Sequence, residues 1–387
     1  MPSTTIHDMP SCPAINVKPI VLCMGVVLII GLPAGRAVES LSVLTYNTSG
    51  NGVADWSTNS AQVQAIGREV SGLQPDIITF QEIPYTNTWQ MPSFVAAFLP
   101  GYHLATNSGT DGYIRSVILS RFPINRSKSW MARSNLTFFG YNGPFTRDLF
   151  EAEIAVPGFP APLHVFTTHL KAGTDTTSQQ RRAAESAAIS NFLVTVFLPT
   201  NTAPYLLAGD MNEDLVRSSN PQALSKLTSA PTGLRLTTPT NSFSGSELTI
   251  SIQTGLFSRY DYILPCGSLF SNIAGSQVFR TDLLYPVPSN LYSNDDETAS
   301  DHLPVMMTFA NPFNTPFRLL SLGVTNQTVS LKWESQNNRV FNIEVSTNFI
   351  VWTPFVTNLA ATTANPTLTF TTNYTGGPAF FRIYRAP

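Results

Sequence analysis

From Leu41 to Tyr46 the chain reads LSVLTY, an apolar run that ends in Asn47 and passes into the loop Ser49-Gly50-Asn51-Gly52, the pattern of a buried strand entering a turn. Beyond it Val63, Ile66, Val70 and Leu73 recur at spacings of three, four and three, which predicts an amphipathic helix stopping near Gly72 and Pro75. A second apolar run, IITF, then delivers Gln81 and Glu82. The order repeats: LHVFTTHL, then the helix-prone DTTSQQRRAAESAAISNFL with Asp175 as N-cap, then YLLAG delivering Asp210. Two strand-helix-strand units, each ending its second strand in a carboxylate, predict an α/β domain with helices packed outside the sheets.

After Pro312 helical periodicity vanishes. Short alternating runs follow, TVSLKWE, RVFNIEVS, TLTFTT and AFFRIY, separated by Asn, Gly, Pro and Thr, which predicts a small all-β sandwich over 317–387 with a core around Trp333, Phe341, Ile343 and Val345. Residues 311–316, with two prolines among polar neighbours, suit an extended linker. Trp333 belongs to the alternating pattern of a core strand, whereas Trp333 together with Trp352 would be needed for a ligand-binding stripe. At the other end, Ile20 to Leu32 form an apolar run of signal-peptide length, too short for a confident membrane span. A cut after Ala37, with Gly35 and Ala37 at the two small-residue positions, would start the mature chain near Val38 and send it to the periplasm or outside the cell. Lys18 is the only Lys or Arg before the apolar run, so Met9 as the true start, or an uncleaved anchor, are the alternatives.

Composition narrows the class. With 387 residues, 43% apolar and 12% charged, the chain is too apolar for a disordered protein and long enough for more than one folded unit. Its three cysteines, Cys12, Cys23 and Cys266, cannot build a disulfide scaffold once residues 1–37 are removed, and Cys266 reads as a small buried residue. The net charge of −2 hides an asymmetry: residues 38–310 carry 15 Lys and Arg against 21 Asp and Glu, and residues 311–387 carry 5 against 2. The larger part therefore has no broadly basic surface for wrapping nucleic acid, although a local cationic groove remains open.

Five apolar runs end in, or flank, groups suited to metal or phosphate chemistry: Asn47, Glu82, His169, Asp210 with Asn212, and Asp301 with His302. A charge at the mouth of a buried strand costs several kcal/mol unless it is paired or bound to a cation, so five such ends point to one shared site. Carboxylates and amides are hard donors that select Mg²⁺, Mn²⁺ or Ca²⁺, and zinc is disfavoured without closely spaced histidines or thiols. His164 sits five residues before His169 on the same run, which sends the two side chains to opposite faces and gives His164 a structural role.

In order along residues 41 to 309, LTYN, TFQE, TTHLK, GDMN, RYDYIL and SDHLPV resemble the endonuclease/exonuclease/phosphatase superfamily, including its deoxyribonuclease and neutral sphingomyelinase branches. The resemblance implies a four-layer α/β sandwich with two central mixed sheets over residues 38–310, and a metal-dependent phosphoric ester hydrolase. By it, Asn47 and Glu82 would hold the cation with Asp301 assisting. Asp210 and Asn212 would position the attacking water and phosphoryl oxygens, and His302, oriented by Asp261, would be the general base or a phosphate-contacting imidazole. His169 would be the histidine that the deoxyribonuclease and sphingomyelinase branches share. In the deoxyribonuclease branch a glutamate pairs with that histidine, whereas GYIRSVILSR offers Ile114 and Arg115 here. Asp111 or Asp148 could stand in, or Arg115 could contact phosphate, as could Arg147 and Lys171. The expected function is an exported, monomeric phosphodiesterase acting on nucleic acid or a phospholipid head group. A phosphomonoesterase, with Arg115 as its support, and a catalytically silent secreted binding protein are the alternatives. The C-terminal module has a fibronectin-like texture and would contact an extracellular polymer or surface.

Overall fold

The computed structural model describes residues 38–50, 55–313, 317–325, 327–335, 339–361, 367–376 and 379–385; the expected signal segment and residues 314–316 of the expected linker lie outside them. Among the described residues eleven strands come first: β1 (Ser40–Asn47), β2 (Ile77–Pro84), β3 (His103–Thr106), β4 (Ile114–Ser120), β5 (Ile124–Trp130), β6 (Leu149–Ile154), β7 (Leu163–His169), β8 (Tyr205–Asp210), β9 (Asp261–Pro265), β10 (Ile273–Val278) and β11 (Val305–Ala310). The helices among them are α1 (Ala61–Leu73), α2 (Met91–Phe98), α3 (Thr176–Phe192), α4 (Ala223–Leu227), α5 (Gly267–Phe270) and α6 (Asp295–Ala299). They form a six-stranded sheet, order β10-β11-β1-β2-β4-β3, and a five-stranded sheet, order β5-β6-β7-β8-β9. Each is mixed. One parallel pair sits in each, β1 with β2 and β7 with β8, and each pair is joined by a helix, α1 or α3.

Period-two alternation explains the layers. In β1, Leu41 and Val43 enter the core between the sheets, while Leu44 and Tyr46 face a separate core beneath α1 and α2. Ile77 and Ile78 in β2, and Ile118 and Leu119 in β4, split in the same way. The opposite sheet contributes Phe150, Val165 and Leu206 to the central core, with Ala188 and Ile189 of α3 in the same cluster. The helices end where the chain chemistry says they should. At the C-cap of α1, Gln74 is left-handed with its N–H on the Val70 carbonyl, just before Pro75. At the start of α3, the Asp175 carboxylate accepts the Ser178 N–H at 3.0 Å.

Contacts divide the chain at Phe317. The described residues of the unit after it hold six strands, β12 (Leu319–Thr325), β13 (Thr328–Glu334), β14 (Val340–Ser346), β15 (Thr353–Ala360), β16 (Thr367–Asn373) and β17 (Phe380–Arg385). They make two three-stranded antiparallel sheets, order β12-β13-β16 and β15-β14-β17. Trp333, Phe341, Ile343, Phe381 and Ile383 fill the core between them, and Val345 packs against it from a partly buried position. Trp333 is a core residue; the Arg382 guanidinium lies over the Trp352 ring.

Candidate active site

Parallel pairing brings strand ends to one edge. Asn47 closes β1 opposite Gln81, which places Glu82 beside it, and His169 closes β7 opposite Asp210 at the end of β8. Asp261 opens β9 in register with Asp210. The four ends are therefore the carboxyl ends of two parallel pairs, where α/β sheets collect their functional groups. His302 arrives from the segment between α6 and β11, pinned by a bridge to Ile250.

Backbone strain aims two of these groups. A register shift interrupts the β2–β4 ladder between Phe80 and Ile83, and Glu82 has φ +60°. Asn212 has φ +49°. Non-glycine residues rarely hold this conformation, and asparagine does so more readily than glutamate. At Gly209, φ is +148° and a Cβ would strike the Thr168 carbonyl, so glycine lets β8 lie against β7 immediately before Asp210.

The side chains interlock. Asn47 Nδ2 donates to Glu82 Oε1 at 3.1 Å and to Asp210 Oδ2 at 2.9 Å, while Asn47 Oδ1 accepts the Ser49 N–H. His169 Nε2 lies 3.4 Å from Asp210 Oδ2 and 3.9 Å from Glu82 Oε1. The Asn212 N–H donates to Asp210 Oδ1 at 2.8 Å, and Asn212 Nδ2 donates to the Leu170 carbonyl. His302 Nδ1 donates to Asp261 Oδ2 at 2.8 Å, with His302 Nε2 3.8 Å from Asp210 Oδ2. All but Glu82 and Asn212 in this set are nearly or wholly removed from solvent.

This environment separates the titrations. Burial pushes Asp210 up to about 7; His302, the Asn47 amide and the Asn212 N–H favour its ionised form, and Asp261 opposes it. Burial alone would depress His302, but Asp261, aided by Asp210 and Asp301, raises it to about 10. His169 goes the other way. Burial holds it well below the usual imidazole range, and the positive charges of Arg147, His302 and Lys171 add to the effect.

The donor set fits a hard dication. One ligand atom each from Glu82, His169 and Asp210 lies within 4.8 Å of the others, and Asp210, Asp261 and His302 form a second such group. Two carboxylates this close, one of them buried, favour a cation between them over mutual repulsion. Asn47 has its amide nitrogen toward both carboxylates, so in this geometry it clamps them, and a ligand role for its oxygen requires the amide to turn over. Asp301 lies in neither group and acts on His302 through its charge.

A family model described as Endonuclease/Exonuclease/phosphatase family matches residues 44–302, from β1 to His302 itself. The chain belongs to this family. Among solved structures, D. rerio TDP2 complexed with single strand DNA product is 15% identical, with a TM-score of 0.50 over 71% of this chain and 100% of that one. The human Nocturnin catalytic domain with bound sulfate anion is 17% identical, with a TM-score of 0.50 over 70% and 93%. The 3' phosphatase NExo from Neisseria bound to product DNA hairpin is 17% identical, with a TM-score of 0.48 over 70% and 99%. At these identities the likeness is one of fold. No curated protein sequence matches the chain.

This member of the endonuclease/exonuclease/phosphatase family leaves His169 without the carboxylate partner that the resemblance to the deoxyribonuclease branch implies. Its Nδ1 is buried without a hydrogen-bond partner. Asp111 instead pairs with Arg147 Nε at 3.0 Å, and Asp148 is held by Asn107 Nδ2 at 2.7 Å and by Ser129, so neither stands in for the missing glutamate. Arg147 Nη1 donates to the His169 and Leu170 carbonyls, which ties it to the end of β7. Lys171 contributes its charge to His169, and its N–H donates to Glu185. Arg115 is drawn elsewhere: Nη1 donates to the Asn107 carbonyl and the guanidinium lies 4.6 Å over the Tyr85 ring. His164 faces away from the site, its Nδ1 2.6 Å from Glu151 and its Nε2 2.7 Å from Asn201 Nδ2, as a structural residue. Cys266 is a buried free thiol.

Three positioning groups escaped the sequence reading. Ser300 Oγ donates to the Asn47 carbonyl at 2.7 Å and accepts the His302 N–H at 3.0 Å, bolting the two ends of the site together. Its one signal was its place in SDHLPV. Glu185 accepts the N–H groups of Thr146 and Lys171, and Arg182 Nη1 donates to the carbonyls of Lys171 and Gly173, so α3 fixes the loops carrying Arg147 and Lys171.

Proposed function

We propose that residues 38–310 form an exported, divalent-metal-dependent phosphoesterase that hydrolyses phosphodiesters by attack of an activated water. The observation that carries this reading is the convergence of Asn47, Glu82, His169, Asp210 and the Asp261–His302 pair at one edge of two sheets. Glu82 and Asp210 would hold Mg²⁺ or Mn²⁺, with His169 adjoining. Bound there, the cation would neutralise charge gathering on the phosphoryl oxygens.

The chain's own groups divide the proton work. Asp210, its carboxylate fixed by Asn47 Nδ2 and the Asn212 N–H, presents an oxygen that can orient the attacking water and take its proton. His302 enters as the cation and offers its Nε2–H to a phosphoryl or leaving oxygen, so the imidazole contacts phosphate and leaves the base role to Asp210. His169 stays neutral and presents Nε2 between Glu82 and Asp210. Arg147 and Lys171 add positive charge on the His169 side of the site, where an anionic substrate would gain from it. The C-terminal module would hold the enzyme to an extracellular polymer or surface.

The test is hydrolysis of bis(p-nitrophenyl) phosphate, supercoiled DNA, sphingomyelin vesicles and a phosphomonoester panel, with Mg²⁺ or Mn²⁺ and with EDTA. Asp210→Asn and His302→Gln should each lower diester turnover by roughly 100-fold or more while thermal unfolding stays cooperative. Unchanged turnover in both variants refutes the reading, and release of inorganic phosphate from monoesters alone replaces it with the phosphatase alternative. Sequencing of the native protein should place its start near Val38, and recovery of the full chain from the cytoplasm refutes export.

A further inference from the structure

Three residues past Glu82 the chain leaves β2 and turns through Tyr85–Gln90, opening a cleft of about 460 Å³ lined chiefly by Tyr85, Thr86, Thr88, Trp89, Thr106 and Arg115. Its volume falls within the ~300–1,000 Å³ typical of ligand sites. Two large aromatics are left in water here, Tyr85 at 43% exposure and Trp89 at 73%. The turn that carries them is fixed: Thr88 Oγ1 donates to the Pro84 carbonyl at 2.8 Å, and the Tyr85 N–H donates to the Tyr113 carbonyl at 2.8 Å. Arg115 stacks on Tyr85, its Nε is buried without a partner, and among the described residues no Asp or Glu lines the cleft.

We propose that this cleft is a stacking subsite for an unpaired nucleobase, with Arg115 taking a neighbouring phosphate, so that the substrate is a single-stranded or frayed nucleic acid. The proposal rests on the phosphoesterase reading above and deepens it. Exposed aromatic faces beside a guanidinium are the features that bind single strands without sequence preference, because every base offers a π-face and every nucleotide an anion. A base in a duplex has its faces covered by its neighbours and must leave the stack first. The distance suits a strand that also occupies the catalytic edge. Three residues of extended chain separate Glu82 from Tyr85, at most about 11 Å.

The same chemistry disfavours a choline phospholipid. A quaternary ammonium seeks aromatic faces without a competing cation, and here the Arg115 guanidinium lies over one face of Tyr85. Three threonines in the lining also make a poor surface for insertion between acyl chains.

The experiment measures binding of a fluorescein-labelled mixed-sequence deoxyoligonucleotide to the full chain by anisotropy in EDTA, so that neither metal nor turnover enters. The single strand should bind more tightly than the matching duplex. Trp89→Ala should weaken it roughly 10- to 100-fold, with Trp89→Phe recovering most of the loss. Arg115→Gln should lower the dependence of log K on log salt by about 0.7. Tyr285→Ala removes an aromatic of 95% exposure outside the cleft lining and should leave binding unchanged. Equal affinity of Trp89→Ala and the parent chain overturns the subsite, as does Trp89-dependent binding to sphingomyelin vesicles in place of the oligonucleotide. Trp89-dependent strand binding by a chain that cleaves no diester would overturn the phosphoesterase reading alone. Diester cleavage with Trp89-independent strand binding would overturn the subsite alone.

Discussion

Replacing Asp261 with Asn isolates what holds the charge on His302. The carboxylate accepts from His302 Nδ1 at 2.8 Å inside a site with almost no solvent, and His302 stands at about 10 against an ordinary 6.5. At ~1.4 kcal/mol per pH unit that difference is on the order of 5 kcal/mol in favour of the cation. An opposite charge at this range contributes ~1–3 of those units, and asparagine keeps the shape without the charge, so the His302 midpoint should fall to about 7–9. The sign follows from linkage. A histidine raised on folding stabilises the protein fully below 6.5, and that stabilisation is lost as pH rises through about 10, so Asp261→Asn should cost stability chiefly at neutral and acid pH. The assay is an NMR titration of the His302 imidazole in EDTA, assigned with His302→Gln, alongside denaturant unfolding at pH 6 and pH 10. Turnover in Asp261→Asn should fall as pH rises through the lowered midpoint, where the imidazole loses its charge, while the parent holds its rate over the same range. A midpoint that remains near 10 in Asp261→Asn would show that Asp261 is not what charges His302, and the acid role assigned to it would go with that result.

Glu69 is wholly buried, accepts from the Tyr46 hydroxyl at 2.7 Å, and is pushed up to about 8, mainly by burial. Its stabilising contribution is therefore present below about 4.5 and lost as pH rises through 8, so Glu69→Gln should flatten that decline and raise the Tm at pH 9 relative to the parent. Gly209→Ala would drive a Cβ into the Thr168 carbonyl at a backbone angle alanine avoids, and calorimetry should show a loss of about 2 kcal/mol or more together with loss of turnover. Ser300→Ala removes one donor and one acceptor that join Asn47 to His302; unfolding should shift by about 1–3 kcal/mol, and kcat should fall more than KM rises, with Ser300→Thr recovering part of it.

Strand ends were legible in the sequence because an apolar run closing on a carboxylate or imidazole conflicts with burial, and the conflict is visible without coordinates. LSVLTY before Asn47 and YLLAG before Asp210 show it, and the two parallel pairs place both ends on one edge. The inner face of α3 was hidden. It buries Arg182, Glu185, Ser178 and Ser186 beside Ala184 and Ala188, so its contacts with the loops of Arg147 and Lys171 are polar and leave no hydrophobic period to read. The destination of Arg115 was equally hidden, because what fixes it is a ring three residues beyond Glu82 and a carbonyl eight residues upstream.

The two histidines show how one missing carboxylate sorts a site. Both are buried, both face Asp210 through Nε2, and burial presses on both in the same direction. His302 has Asp261 behind it and carries a proton. His169 has nothing on Nδ1: where the resemblance implies a glutamate the chain has Ile114 and Arg115, and Asp111 is committed to Arg147 and Asp148 to Asn107 and Ser129. Arg147 then works twice, occupying Asp111, one of the two candidate partners for Nδ1, and adding a positive field of its own. Ile114→Glu, which puts a carboxylate where the resemblance implies the partner, should raise the His169 midpoint by NMR; an unchanged midpoint would show that burial and the flanking positive charges, and not the absent partner, keep it neutral.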